Sequence, residues 1–246
     1  MTALARKTTR LDVTAILKAC PLCAGLEASQ VERLAAQAMA KSFPKGFLLY
    51  AHEEEASRFY LMVEGWVKLF RETLDGDEAV LDILTSGHVF GETSLFGNGR
   101  HSTSAQIIED ATVVMVPLVA LRHVIEEQPR VALNMLDSMA RFRQQQDREI
   151  EHRILQNAPQ RIGCFLLRLC DTGRQTHATL HLPYDKTLIA ARLGMKPETF
   201  SRALARLRED TGLIVNGATI HIGDIARLAD YTCTACSDAF PCDDRG

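Results

Sequence analysis

Three observations predict an α+β fold. Short apolar runs recur at even spacing between 45 and 118. An unbroken helical pattern covers 129 to 155. Two short helices and a hairpin signal fill 185 to 222. The evenly spaced runs suggest a barrel or jelly-roll of short strands. The last region has the order helix, turn, helix, hairpin that makes a winged helix-turn-helix.

A length of 246 residues suits one large domain or two small ones, and 46% hydrophobic with 24% charged residues describes an ordinary globular chain. No apolar run approaches the roughly 18 residues that suggest a membrane span. The start, Met1-Thr-Ala-Leu-Ala-Arg-Lys7, has no apolar signal core. A cytoplasmic protein without membrane contact is therefore expected. A net charge of −3 excludes a polycation, so any binding to nucleic acid must use a local basic face. Lys186, Arg192, Lys196, Arg202, Arg206 and Arg208, set against Glu198, Glu209 and Asp210, supply one.

Helical pattern fills 10–40. The strand candidates are Phe47-Leu-Leu-Tyr50, Phe59-Tyr-Leu-Met-Val63 and Trp66-Val-Lys-Leu-Phe70, separated by polar or glycine breaks. Asp75-Gly76 is a hairpin signal, Ala79-Val-Leu-Asp-Ile-Leu84 follows it, and Ala111-Thr-Val-Val-Met-Val-Pro117 closes the series. After Pro129 the helical stretch to 155 is free of Gly and Pro, and at 1.5 Å per residue it is roughly 40 Å long. Positions 133, 136, 140, 143, 147, 150 and 154 follow the three-four step of a coiled coil. They are Leu, Leu, Ala, Arg, Asp, Ile and Ile, apolar at both ends and polar in the middle. A helix packed on its own domain is one reading. A dimer helix is the other, and a reader of palindromic DNA needs a partner.

Asp185 can cap a helix that runs to Leu193 and ends at Gly194, and Pro197 suits the first turn of the next helix. Phe200, Leu204 and Leu207 share its packing face. Glu198, Ser201, Arg202 and Ala205 share the opposite face. Leu213-Ile-Val215 and Thr219-Ile-His-Ile222 flank Asn216-Gly217, a strong two-residue hairpin signal. An arginine can bridge guanine O6 and N7, and a glutamate can accept from cytosine N4. Arg202 and Glu198 are spaced to reach adjacent base pairs. Lys196, Pro197, Thr199, Ser201 and Arg206 complete the candidate contacts, with Lys196, Arg206 and Arg208 directed at phosphate or water rather than bases. The competing reading is a solvated helix in which Glu198 and Arg202 simply pair at i,i+4.

With these residues in place, the chain resembles the Crp/Fnr family of bacterial regulators over nearly its whole length. The matching stretches are Cys20-Pro-Leu-Cys-Ala-Gly-Leu26, Phe59-Tyr-Leu-Met-Val-Glu-Gly-Trp-Val67, Phe90-Gly-Glu-Thr-Ser-Leu-Phe96, the long helix and Leu193-Gly-Met-Lys-Pro-Glu-Thr-Phe-Ser-Arg202. The resemblance implies a cyclic-nucleotide-binding-like β-roll sensor over 1–128 and a dimerisation helix over 129–156. It further implies a winged helix-turn-helix over 157–232 and a cysteine-containing tail over 233–246. Gly91, Glu92, Thr93, Ser102 and Thr103 fall on the family's effector pocket. Its cAMP-binding members place there an arginine that pairs with the phosphate. That position falls on Ser102 here, with Arg100 two residues too early, which argues against cAMP. Ser102-Thr-Ser-Ala-Gln106 instead resembles the Fnr/Dnr branch, which senses oxygen or nitric oxide. That branch carries Glu-x-x-Ser-Arg on its recognition helix and reads TTGAT half-sites. The implied partners are a palindromic DNA duplex, a second copy of the chain and RNA polymerase.

Seven cysteines fall in three groups: Cys20/Cys23, Cys164/Cys170 and Cys233/Cys236/Cys242. Clustered cysteines in a cytosolic protein point to metal or redox chemistry. Cys20 and Cys23 read as structural, because Ser29 stands where a C-x2-C-x5-C run would continue and no cysteine lies between 24 and 163. Cys164 and Cys170 sit in an apolar helix, where cysteine acts as a small hydrophobe. The tail has C-x2-C-x5-C spacing, suited to an iron–sulfur cluster, to zinc with a further ligand, or to no metal. Fnr regulators of bacilli, by resemblance, hold a cluster with three C-terminal cysteines and an aspartate of the dimer helix, which makes Asp147 the candidate fourth ligand. Asp147 has two other readings: a repulsive switch in the seam, or a partner of Arg143. Haem is the alternative cofactor, although no histidine has a specific spacing. A hinge at 154–158 would carry the signal to the DNA-reading helices. No nucleophile-and-base set, Walker loop or HExxH run suggests an enzyme.

Overall fold

The computed structural model describes residues 11–76, 78–170, 176–182, 186–237 and 240. The chain forms two compact units, 1–67 with 84–137, and 68–83 with 138–246.

The first unit opens with α1 (Val13–Ala19) and α2 (Ala28–Gln37), joined through a 3-10 turn at Pro21–Cys23. Asp12 caps α1 by accepting from the Ala15 amide, and Glu27 and Gln30 form a capping box on α2. The strands are β1 (Met39–Phe43), β2 (Leu48–Tyr50), β3 (Arg58–Glu72), β4 (Glu78–Leu84), β5 (Val89–Phe90) and β6 (Ser104–Pro117). Their order is β1-β6-β3-β4, with β2 also on β6 and β5 on β3. β1 pairs antiparallel with β6, from Met39 opposite Met115 to Phe43 opposite Ala111. Leu17, Leu34, Phe59, Val114 and Leu121 of α3 (Leu118–Glu127) are core residues of this unit, with Cys20 and Cys23 buried among them. A hydrogen bond to Cys20, together with burial, holds the Cys23 thiol protonated. A structural role for this pair fits both observations.

Two of the expected strands are one. The run 59–63 and the run 66–70 belong to the continuous β3, and Gly65 between them is no break. Its φ is +87°, and a Cβ there would lie 2.4 Å from the Asp110 carbonyl oxygen. The glycine lets the β6 backbone approach closely, as glycine inside a strand often does.

Helix α4 (Pro129–Leu155) is continuous, as the Gly- and Pro-free pattern predicts. Asn134 anchors its first part by donating to the carbonyls of Leu22 and Ala24 at 3.2 and 2.8 Å. Leu133, Leu136, Ile150 and Ile154 of the expected seam are all exposed. The polar middle of that seam is flanked by exposed Met139 and Phe142, three and six residues on from Leu136, so the apolar stripe is wider than the three-four step suggests.

The second unit holds α5 (Ala158–Arg168), β7 (Ala178–His181), α6 (Lys186–Arg192), α7 (Pro197–Thr211), β8 (Ile214–Asn216), β9 (Thr219–Ile222) and α8 (Ile225–Thr232). Its core joins Ile162 and Leu166, Ile189, Phe200, Leu204 and Leu207, Ile220 and Leu228. α5 and α8 approach so closely at Gly163 that a Cβ there would sit 2.2 Å from the Thr232 hydroxyl oxygen. The three strands run β7-β9-β8. Asn216 pairs with Thr219, so the hairpin turns on Gly217-Ala218, with Gly217 at φ +61°. The turn has slid one residue from Asn216-Gly217 because the glycine takes the first central position, as type II′ loops prefer. Asp185, the expected cap of α6, lies outside the described residues.

Candidate functional site

α6 ends at Arg192, two residues before Gly194, whose φ of +62° suits the left-handed turn after a helix, and α7 starts with Pro197 in its first turn. One face of α7 buries Phe200, Ala203, Leu204 and Leu207. The other exposes Glu198, Ser201, Arg202 and Ala205, with Lys196, Pro197 and Arg206 exposed nearby and Thr199 half-buried. Among the described residues Glu198 and Arg202 do not pair with each other, and neither meets another partner. Arg206 lies 3.7 Å from the Asp210 carboxylate. The face is thus solvated and charged, with its foremost arginine uncommitted.

Arg192, in the last turn of α6, is the opposite case. It is buried, and its guanidinium holds Glu149 of α4 in a two-pronged ion pair while donating to Asp82 of β4 at 3.1 Å. Arg168 of α5 reaches the same Glu149 at 3.0 Å. Burial alone would raise the Glu149 pKa, but the two guanidinium groups bring it down to about 2. Sequence reasoning missed this cluster, because Asp82 and Glu149 lie far from Arg192 along the chain. The one available signal was an arginine in the last turn of a short apolar helix.

Of the expected effector residues, Gly91 and Thr103 adjoin an aromatic stack. Gly91, at φ +81°, opens the 3-10 turn Glu92–Leu95, and a Cβ there would meet the Tyr60 ring at 3.2 Å. The rings of Tyr50 and His101 stack at 3.6 Å, and those of Tyr60 and Phe90 at 5.2 Å. His101 is buried with its Nδ1 3.3 Å from the Ser94 hydroxyl. Burial lowers its pKa, and burial raises that of Glu92, so both groups favour their neutral forms. Thr103 hydrogen-bonds Tyr50, while Thr93 and Ser102 are exposed. Arg100 is also exposed, and its guanidinium donates to the Glu53 carbonyl.

Among the described residues, Asp147 is not brought to Cys233 or Cys236. That carboxylate pairs with Arg143 on its own helix at 3.1 Å. Cys236 instead has its Sγ 3.3 Å from Nε2 of His152, and the Cys164 Sγ lies 3.7 Å from Nδ1 of the same ring. Cys233 lines the same pocket, and Cys242 lies outside the described residues. Among the described residues no three His, Cys, Asp or Glu side chains converge as a metal ion requires. Cys164 also departs from its expected role as a small hydrophobe. It is half-exposed against an imidazole, whereas Cys170 is buried, bonds the Leu166 carbonyl and has its pKa pushed up to about 11.

Comparison with known proteins matches two domain families along the chain. The cyclic nucleotide-binding domain family matches residues 40–128, and the Crp-like helix-turn-helix domain family matches residues 160–231. The CRP-like cAMP-activated global transcriptional regulator of Mycobacterium tuberculosis is 31% identical over 208 residues, covering 83% of this chain and 93% of that protein. The fumarate and nitrate reduction regulatory protein of Escherichia coli is 27% identical over 202 residues, covering 78% and 79%. A Ruegeria pomeroyi protein described as cyclic-nucleotide-binding has a solved structure with a TM-score of 0.68 and 35% identity, covering 89% of this chain and 96% of that one. With a cyclic-nucleotide-binding domain, a long helix and a Crp-like helix-turn-helix in that order, the chain belongs to the Crp/Fnr family of transcriptional regulators.

Proposed function

We propose that the protein is a homodimeric transcription factor that reads a TTGAT-like palindrome and answers a redox, oxygen or nitric oxide signal. The observation that carries the DNA reading is the face of α7. Glu198, Ser201 and Arg202 stand exposed together, and Arg202 has no internal partner among the described residues. An arginine held for guanine and a glutamate held for cytosine need such freedom. The exposed stripe of Leu133, Leu136, Met139, Ile150 and Ile154 supports pairing of α4 with a second copy. Two copies would set two α7 helices in successive major grooves about one turn apart. The reading places the protein in the cytoplasm, with RNA polymerase as its further partner.

The signal reading draws on the sulfur groups around His152 and on what surrounds the effector residues. Tyr50, His101, Tyr60 and Phe90 make that region aromatic, and Ser102 brings no cation to a phosphate. A second reading, in which the β-roll takes a nucleotide or other small effector, draws on the cAMP-activated relative. Mass spectrometry of any molecule released from the pure protein separates the two. Anaerobic purification with a visible spectrum and with iron, sulfide, zinc and haem assays tests for a metal-borne signal.

The DNA reading is tested by gel shift on a duplex carrying two inverted TTGAT half-sites. Binding by the full chain, lost on changing the half-sites, is expected. Unchanged binding by Arg202→Ala would remove the base contact.

A further inference from the structure

A pocket lies beside the C-terminal part of α4. It is lined by His152, Gln156, Cys164, Cys233, Cys236 and Phe240. His152 is only 7% exposed, and its two ring nitrogens face two different sulfurs, Cys164 at Nδ1 and Cys236 at Nε2. Both cysteines are partly exposed, so a solute can reach them. Gln156 is 6% exposed, and among the described residues neither its amide nitrogen nor its oxygen has a hydrogen-bond partner. A buried amide without partners is costly, and in a pocket it marks a place for a small polar molecule.

We infer that Cys236, His152 and Cys164 form an oxidisable thiol site whose substrate is a small hydroperoxide, with Gln156 positioning it. The Cys236 sulfur attacks the terminal oxygen of the peroxide. The O–O bond breaks and the sulfur is oxidised to a sulfenic acid. His152 takes the thiol proton on Nε2 and returns it to the departing alcohol or water. The Cys164 sulfur then attacks the sulfenyl sulfur. Its thiol proton goes to the leaving hydroxide, water departs, and an S–S bond closes. Two thiols and one hydroperoxide thus yield one disulfide, one alcohol or water, and one further water.

The ring position gives this chemistry a mechanical consequence. The two nitrogens of an imidazole diverge, so His152 holds the sulfurs apart, and an S–S bond near 2.05 Å cannot form around it. Closure must expel His152, which lies four residues before Gln156 and five before the Asn157 cap that starts α5. The bond would therefore reset the joint from which the DNA-reading helices hang. Only this last step rests on the proposed function.

The test treats the reduced, full-length protein with hydrogen peroxide, alkylates the remaining thiols and maps the peptides by mass spectrometry. A Cys164–Cys236 disulfide, reversed by dithiothreitol, is expected. Cys164→Ser should leave Cys236 as a sulfenic acid captured by dimedone. His152→Gln should slow Cys236 oxidation at least about tenfold. Cys236 no more reactive than a free cysteine, a Cys233–Cys236 bond, or an unchanged rate in His152→Gln would overturn the assignment. Gel shift on the same samples reads the consequence separately. Reduced protein that never binds DNA would refute the regulatory reading and leave the thiol chemistry standing.

Discussion

Two arginines ten residues apart in the helix-turn-helix have opposite surroundings. Arg192 closes α6, is buried, and is held by Glu149 and Asp82. Arg202 stands on the outer face of α7, exposed and unengaged among the described residues. A buried guanidinium without carboxylates would cost several kcal/mol, and each of the three guanidinium nitrogens of Arg192 meets a carboxylate. An exposed one loses little by waiting in water. The first arginine has been spent on the protein's own architecture, and the second is kept for a partner from outside. The same contrast separates their readouts: changes near Arg192 should appear in stability, and changes at Arg202 in binding.

The largest effect should come from Glu149→Ala. It strips Arg192 and Arg168 of their shared carboxylate and leaves Arg192 buried with Asp82 alone. Breaking a buried pair from one side costs about 3–5 kcal/mol. Urea unfolding followed by circular dichroism should show the midpoint fall accordingly. A midpoint within about 0.5 kcal/mol of the parent would mean the cluster is not holding α4 to α6.

Acid should reach the same cluster next. The folded pKa of Glu149 is depressed to about 2, so its contribution is fully present above the unfolded carboxylate value and is lost as pH falls through the folded one. The window runs from about pH 5 down to about pH 2, and the contribution is about 3 kcal/mol. Comparing the parent with Glu149→Gln across that window isolates it. The difference between the two should shrink towards acid, and a constant difference would refute the ion-pair origin.

At the reading face, Arg202→Ala should cost about 1–3 kcal/mol in binding a TTGAT palindrome and relax discrimination at one base pair. Thermal unfolding should not move, since Arg202 supports no other described side chain. A fall in melting temperature matching that of Glu149→Ala would erase the contrast between the two arginines.

The contrast was only half legible in the sequence. The reading helix could be placed because its signals are local: Gly194, Pro197 and the alternation of Phe200, Leu204 and Leu207 against Glu198, Ser201 and Arg202 all lie within a few residues. The Arg192 cluster could not, because its partners arrive from residues 82 and 149 only once the chain has folded. Cys164 misled for the same reason. Its helical neighbours are apolar, and the imidazole that changes its character belongs to α4. Strands β1 and β7 escaped because Met39-Ala-Lys-Ser-Phe43 and Ala178-Thr-Leu-His181 have weak alternation and owe their existence to the strands they pair with. Gly65 looked like a break because a glycine admitting a neighbouring backbone and a glycine ending a strand look alike in one dimension.

Lys196 offers the smallest effect and the finest test. It sits at the cap of α7 and is exposed, as Arg202 is, but a compact ammonium carries no bidentate geometry for a base edge. If the outer face divides its labour between bases and phosphates, Lys196→Ala should weaken binding by a similar factor on specific and scrambled duplexes. It should also reduce the slope of log affinity against log salt by about 1. Arg206, already near Asp210, should show less of the same behaviour. Measuring both variants by fluorescence anisotropy across a salt series separates the roles. A Lys196→Ala variant that loses discrimination between duplexes would place the lysine among the base-reading residues and extend the reserved face to the first turn of α7.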